Sequence, residues 1–316
     1  MIQTDVLIVG GGPGGAACAG RLKQNGAHCI VLDQAEFPRF KPCAGWITPE
    51  VIKDLQIDLE DYPHGLTTFS SFNVTLGVFK FKLKTRQHSI RRIEFDAWLL
   101  KRSAADFHVH RVKEIGQADG QYIVDGMYAA KYLVGAGGTH CPVYHTLFKS
   151  AESETKKTLI VAQEDEFAYD AVDKRCHLWF FQNHLPGYSW YVPKANGFVN
   201  VGIGGSAAQL KKQGDTLKRH WNLLVEKLEE TGLIRGYTYK PSGHSYYLRH
   251  SSQETRRENA FLVGDALGLA TLDMGEGIGP SIRSGMLAAE AILHDTDYAL
   301  DSIPRYSLPS LLSLRR

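Results

Sequence analysis

The residues with the clearest chemical potential lie between Gly10 and Gly20, in the run GGGPGGAACAG. Gly10, Gly12 and Gly15 are spaced G-x-G-x-x-G, and Gly14 adds another position without a side chain. Glycines in this register let a backbone turn sharply and approach a pyrophosphate closely, while the helix that follows aims its N-terminal amides at the phosphates. The context fits, because the apolar run DVLIV precedes the glycines and a small-residue helix pattern follows them. A second apolar run, HCIVLD, ends at Asp33, 21 residues after Gly12, where a carboxylate can accept hydrogen bonds from ribose hydroxyls. Both NAD and FAD satisfy these residues.

A second constellation near the other end of the chain separates the two. FLVGDALGLA brings Asp265 to the end of an apolar run, and GEGIG opens a helix at Gly277 and Ile278, 12 residues further on. A carboxylate at a strand end suits the sugar-alcohol chain of a flavin, and helix N-terminal amides suit its pyrophosphate and ring edge. NAD needs only the first constellation, whereas an extended FAD uses both. FAD is therefore the expected cofactor.

Other chemistry-bearing residues are scattered. Cys43 lies in an irregular loop with three prolines and has three readings: packing, contact with a flavin, or proton donation by its thiol. Trp179, Phe180, Phe181, Tyr188, Trp190 and Tyr191 can wall an apolar cavity, although strand alternation turns only one set to any one side. His177 and His184 flank them as candidate acids. The five cysteines are odd in number and widely spaced, fitting neither a disulfide framework nor a zinc site, and no metal site is expected.

The elements that must position these residues follow from periodicity. Residues 67–84 alternate apolar and polar about Gly77 and predict a hairpin, with Lys80, Lys82 and Lys84 on its wet face. RRIEFDAWLLKR has helical spacing with Asp96 placed to cap, and YAAKYLVG reads as a buried strand. Residues 158–250 are strand-rich and are interrupted by one helix at about 206–231. The predicted architecture is α/β: a three-layer, Rossmann-like nucleotide domain from residues 1–66, 90–157 and 251–316, with a mostly antiparallel sheet domain from 67–89 and 158–250 inserted into it.

Composition sets bounds. The chain has 316 residues, 43% of them hydrophobic and 22% charged, with a net charge of +2, as in an ordinary globular protein. No basic stripe with interleaved aromatics points to nucleic acid. The N-terminus shows no basic-then-apolar leader, and the cysteine usage suits a reducing compartment, so a cytoplasmic setting is expected, with peripheral membrane contact left open. Oligomeric state is not legible.

The sequence resembles the flavoprotein superfamily of aromatic hydroxylases such as p-hydroxybenzoate hydroxylase, and within it the geranylgeranyl reductase family. The resemblance rests on GGGPGG at 10–15, KPCAGW at 41–46, R-x-x-F-D at 92–96, PGYSWYVPKANGFVNVG at 186–202 and GDALGLATLDMGEGIGPSIRSG at 264–285. It implies that Gly14, Gly15 and Asp33 hold the ADP half of FAD, that Cys43 and Ala44 lie against the flavin, and that Arg92 reaches the phosphates. It further implies that Val112, on a strand, touches the adenine, that Asp265, Gly277 and Ile278 hold the ribityl, pyrophosphate and ring edge, and that Tyr188, Trp190 and Pro193 border the substrate. The implied activity is reduction of isoprenoid C=C bonds by hydride from reduced flavin. The alternative is a flavin monooxygenase acting on an aromatic or polyketide-like molecule. A halogenase is disfavoured because YSWYVP lacks one tryptophan of W-x-W-x-I-P. No second G-x-G-x-x-G is present, so the electron donor is expected to be transiently bound NAD(P)H or a ferredoxin.

Overall fold

The computed structural model describes residues 1–149, 158–250 and 254–312. In chain order the elements are β1 (Ile2–Val9), α1 (Pro13–Gln24), β2 (Cys29–Asp33), β3 (Trp46–Ile47), α2 (Pro49–Asp54), β4 (Thr67–Leu76), β5 (Phe79–Ser89) and α3 (Arg92–Arg102). Then come β6 (Asp106–Val109), β7 (Ile115–Ala118), β8 (Gln121–Val124), β9 (Tyr128–Gly135), β10 (Leu159–Ala168), β11 (Cys176–Phe180), β12 (Gly187–Lys194) and β13 (Phe198–Ser206). The chain closes with α4 (Ala207–Gln213), α5 (Leu217–Glu230), β14 (Ser242–Tyr247), β15 (Arg256–Arg257), β16 (Ala260–Leu262), α6 (Ile278–His294) and α7 (Leu308–Leu311).

Two compact units result. The first comprises Met1–Arg39, Ile93–Glu154 and Tyr247–Ser307. Its sheet runs β15-β16-β9-β1-β2-β6, with β8 pairing β9 and β7 pairing β8. The strands β16, β9, β1, β2 and β6 are mutually parallel, so their carboxyl ends share one edge. Val6 to Val9, Ile30 to Leu32 and Leu133 to Val134 are buried, as expected for strands covered on both faces. Helix α1 packs tightly on α6, and a Cβ at Gly285 would lie well inside contact distance of the Gly14 carbonyl.

The second unit comprises Phe40–Arg92, Thr155–Tyr246 and Leu308–Arg316. Its sheet runs β14-β10-β13-β12-β11-β4-β5-β3; β11 meets β4 in parallel, and the strands from β10 to β11 and from β4 to β3 pair antiparallel. One face carries Phe167, Trp179, Tyr191, Val199, Val201 and Ile203 into a core closed by Trp221, Leu224 and Leu228 of α5.

Three expectations need correcting. Residues 40–66 belong to the second unit, not the first, because β3 pairs with β5 through Trp46 and Ile47, and α2 packs on β5. Likewise α7 joins that unit, with the Ser310 hydroxyl donating to Glu50 at 2.8 Å. The helix expected at 206–231 is two helices: Gly214 ends α4 in the left-handed conformation (φ 64°), and Thr216 caps α5. Asp96 does not precede α3 but lies inside it, buried, and faces Arg39 at 3.7 Å. Among the described residues no helix is long and apolar enough to cross a membrane, and no group of three His, Cys, Asp or Glu side chains is placed to hold a metal.

Candidate active site

In the first unit the site lies along the common carboxyl edge of the parallel strands. Gly10 leaves β1 at φ +118°, a conformation that favours glycine, and its amide donates to the Leu32 carbonyl at 2.7 Å. The loop then passes into α1, whose N-terminal turn holds Pro13 and no acidic residue. Close packing explains the small residues. A Cβ on Gly15 would overlap the Gly10 carbonyl, and one on Gly14 would lie 3.0 Å from the Ser281 carbonyl. Gly12 differs, since a Cβ there would meet only the Arg39 guanidinium, at 3.4 Å. Its open side is where phosphates have room.

Asp33 ends β2 beside this loop. Its carboxylate accepts from the Gly11 amide at 2.8 Å and from the Ala35 amide at 3.0 Å, leaving further lone pairs for a ligand. Arg39 sits 3.9 Å from it, with its guanidinium over the Phe37 ring at 4.7 Å. At the far side of the same edge, Gly264 takes φ +60° and donates to the Ser284 hydroxyl at 2.9 Å, tying the turn to α6. Asp265 follows, its Oδ1 3.2 Å from where a Gly277 Cβ would stand, so this carboxylate lies at the N-terminus of α6. Glu276 accepts from the Gly279 amide at 2.6 Å. The Gly277 and Ile278 amides precede the first helical hydrogen bond. From β16 to β2 there are three strand steps, roughly 14 Å. Asp33 and Asp265 thus bound one elongated, glycine-lined edge.

In the second unit the KPCAGW loop lies against the sheet face opposite α5. Across neighbouring strands, Phe81, Val74, Leu178, Trp190, Gly202 and Glu164 form one row on this face, and Phe79, Leu76, Phe180, Tyr188 and Gly204 form the next. Gly202 is required here, because a Cβ would stand 2.8 Å from the Glu164 Cβ and overlap the Trp190 ring. The Glu164 carboxylate accepts from the Cys43 amide and, at 3.3 Å, from the Asn200 amide, which also reaches the Cys43 carbonyl at 3.4 Å. Trp190 donates to the Asn200 Oδ1 at 2.7 Å. Lys194, fully buried, donates to the Ala44 carbonyl at 2.6 Å and the Ile90 carbonyl at 2.5 Å, and pairs with Glu166 at 3.3 Å.

The electrostatics single out Glu164. It is 1% exposed, and its Oε2 has no hydrogen-bond partner among the described residues. Burial pushes its carboxyl up to about 7, against the opposing pull of Lys194 and the Cys43 amide. It is therefore the side chain in this network that can hold a proton near neutral pH. His244 is held at about 3, first by burial and then by the charges of Lys41 and Arg92, so it stays neutral. Burial pushes Cys29 up to about 11 and raises Cys18, Cys141 and Cys176 as well, leaving them inert. Cys43 is partly exposed, and all five cysteines are free.

Residues 3–57 match the family model of an FAD binding domain. A menaquinone reductase of Mycolicibacterium smegmatis is 26% identical over 330 residues, covering 94% of this chain and 78% of its own. Digeranylgeranylglycerophospholipid reductase 2 of Methanosphaera stadtmanae is 24% identical, covering 97% and 82%. The crystal structure of a geranylgeranyl bacteriochlorophyll reductase-like protein from Thermoplasma acidophilum superimposes with a TM-score of 0.79 at 21% identity, covering 99% of this chain and 82% of that one. Residues 3–57 thus match an FAD binding domain, and the chain is similar to reductases along most of its length. Geranylgeranyl-type reductases are among its relatives.

The first unit of this flavoprotein fits FAD. Gly10, Gly14 and Gly15 let the loop and α1 pack closely, Gly12 leaves an open side, and two carboxylates stand at the ends of the edge. Asp33 would take ribose hydroxyls, the loop amides the pyrophosphate, Asp265 the ribityl hydroxyls, and the amides of Gly277 and Ile278 the ring edge. Phe37 and Arg39 complete this site and were not singled out from the sequence, because they sit in an irregular loop with no periodic signal.

Other expected residues are placed differently. Val112 is not on a strand: β6 ends at Val109, opposite Asp33, and Val112 follows in the loop. Arg92 opens α3 but falls in the second unit, buried, with its charge bearing on His244. Cys43 and Ala44 are in the second unit too, in the polar network just described. Alternation along β12 puts Tyr188 and Trp190 on the Glu164 face and Pro193 on the other, so the expected trio is split. The aromatic set divides the same way, with Trp179 and Tyr191 in the α5 core and Phe180 stacked on Tyr188 at 5.1 Å. His177 lies on the α5 side, paired with Asp173 at 2.9 Å.

Proposed function

We propose that this flavoprotein saturates C=C bonds of an isoprenoid substrate, a prenyl lipid or a prenylated quinone. The observation that carries the reading is the face of the second sheet that sets one buried, proton-holding carboxyl beside an apolar aromatic row. Adding two hydrogens to an unactivated double bond needs a hydride, a proton and an environment that excludes water. Reduced FAD supplies the hydride when bound. Tyr188, Trp190 and Phe180 supply an apolar wall for the chain. Glu164 holds the proton at Oε2 and, after giving it up, is stabilised as a carboxylate by the Cys43 amide, the Asn200 amide and the charge of Lys194. Asn200 also fixes Trp190, so the wall and the acid are oriented by one side chain. The names of the relatives support the substrate class. Electrons are proposed to come from transiently bound NAD(P)H or a ferredoxin.

The test is anaerobic. The reduced holoprotein is mixed with geranylgeranyl compounds in D2O while flavin absorbance is followed and products are weighed by mass spectrometry. Flavin reoxidation without oxygen, with two deuteriums gained per bond saturated because the reduced flavin's transferable N–H exchanges with solvent, is the expected result. A spectrum that stays reduced, or turnover that demands oxygen and yields a hydroxylated product, refutes the reading. Glu164→Gln should keep FAD binding while slowing this step by about a hundredfold, the range for one general acid, and should lose the decline of rate above pH 7.

A further inference from the structure

The tip of the β4–β5 hairpin presents large apolar side chains that no other described residue covers. Leu76, Val78, Phe79 and Phe81 are 44, 86, 72 and 47% exposed, and Phe181, which follows β11 beside Leu76, is 60% exposed. The pairing of Leu76 with Phe79 leaves only Gly77 and Val78 in the turn, so Val78 stands at the apex. Soluble surfaces rarely gather several such side chains in one place. Strand alternation sorts the rest of the hairpin. Phe79 and Phe81 point to one face, while Lys80, Lys82 and Lys84 point to the other, where Lys227 of α5 feels the charge of Lys80. An apolar apex flanked by ammonium groups matches the cross-section of an anionic bilayer surface: acyl chains below, phosphates above. The rows that carry these side chains continue into the protein, where Val74, Leu178 and Trp190 are buried.

We propose that the β4–β5 hairpin docks this protein on an anionic lipid surface, with Val78, Phe79 and Phe81 inserted among the acyl chains and Lys80, Lys82 and Lys84 at the headgroups. Docking is read without turnover, so it stands or falls separately from the reduction proposed above.

The experiment is vesicle sedimentation of the FAD-loaded full chain with phosphatidylcholine vesicles that contain or lack phosphatidylglycerol. The wild type should sediment with the anionic vesicles and bind the neutral ones at least tenfold more weakly. The double variant Val78→Asp, Phe79→Asp should lose about tenfold or more in vesicle affinity with FAD content and circular dichroism unchanged, since both side chains already face water. The triple variant Lys80→Gln, Lys82→Gln, Lys84→Gln should lose the preference for phosphatidylglycerol. Wild type that stays in the supernatant with both compositions overturns the proposal. So does an aspartate variant that sediments like wild type, or one whose only change is conversion of a dimer to a monomer in sedimentation velocity.

Discussion

Three glycines in two helices allow the packing of the cofactor edge to be tested with an internal control. Gly15 and Gly20 both lie in α1, and Gly285 lies in α6. A Cβ at Gly15 would meet the Gly10 carbonyl, and one at Gly285 the Gly14 carbonyl, both closer than the 3.0 Å that real Cβ atoms keep. A Cβ at Gly20 would meet Ser103 at 3.6 Å, an ordinary contact. Backbone cannot rotate away as a side chain can. Gly15→Ala and Gly285→Ala should therefore each force α1 off its neighbour by about an ångström, costing roughly 1–3 kcal/mol of overpacking even after the helix-propensity gain. Gly20→Ala should instead gain up to about 1 kcal/mol, because only the propensity term remains. Thermal unfolding of the apoprotein and titration with FAD read the two effects. Gly15→Ala and Gly285→Ala should lower the melting temperature by several degrees and weaken FAD by about tenfold or more, since the glycine loop and the N-terminus of α6 move apart. Gly20→Ala should melt slightly higher and bind FAD as wild type does. Equal FAD affinity in all three variants would refute the reasoning.

The raised Glu164 carboxyl makes stability depend on pH. Its proton is held until about pH 7 in the fold but leaves near pH 4.5 in the unfolded chain, so this contribution is complete below pH 4.5 and is lost as pH rises through 7. The loss amounts to about 3 kcal/mol over that window, and urea unfolding of Glu164→Gln at pH 5 and pH 8 should show it abolished; an unchanged difference contradicts the assignment. Lys194→Met should destabilise the protein by about 3 kcal/mol, because it strips the Ala44 and Ile90 carbonyls and leaves Glu166 with Arg91 alone of its two cationic partners. Full stability of that variant in urea would show the loop is held otherwise. Gly202→Ala should displace Trp190, which a shift in tryptophan fluorescence reports, and an unaltered spectrum would count against the face described.

The first unit was largely legible because its signals are local. The glycine spacing, the apolar runs ending at Asp33 and Gly264, and the helix opening at Gly277 each follow from a few adjacent residues. What escaped depends on tertiary placement. Glu164 alternates with Asp165 and Glu166 along β10 like any strand acid, and only the loop over it takes it out of water. Arg39 lies where no periodicity exists, yet the fold sets it beside Asp33, Asp96 and Gly12. The unit boundary at residue 39 was missed because KPCAGW has no strand pattern, although the pairing of Trp46 with Ser89 decides its allegiance. The aromatic run carried its own warning, for adjacent residues on a strand must face opposite ways, and Tyr188 and Tyr191 do.

Asp33 and Asp265 are proposed to bound a single elongated cofactor on one sheet edge. A crystal structure of the FAD complex tests it most directly. Continuous density should run from the Asp33 carboxylate, past Gly12, to Asp265 and the N-terminus of α6. Density that leaves either carboxylate untouched, or crystals that take up no FAD, would contradict it.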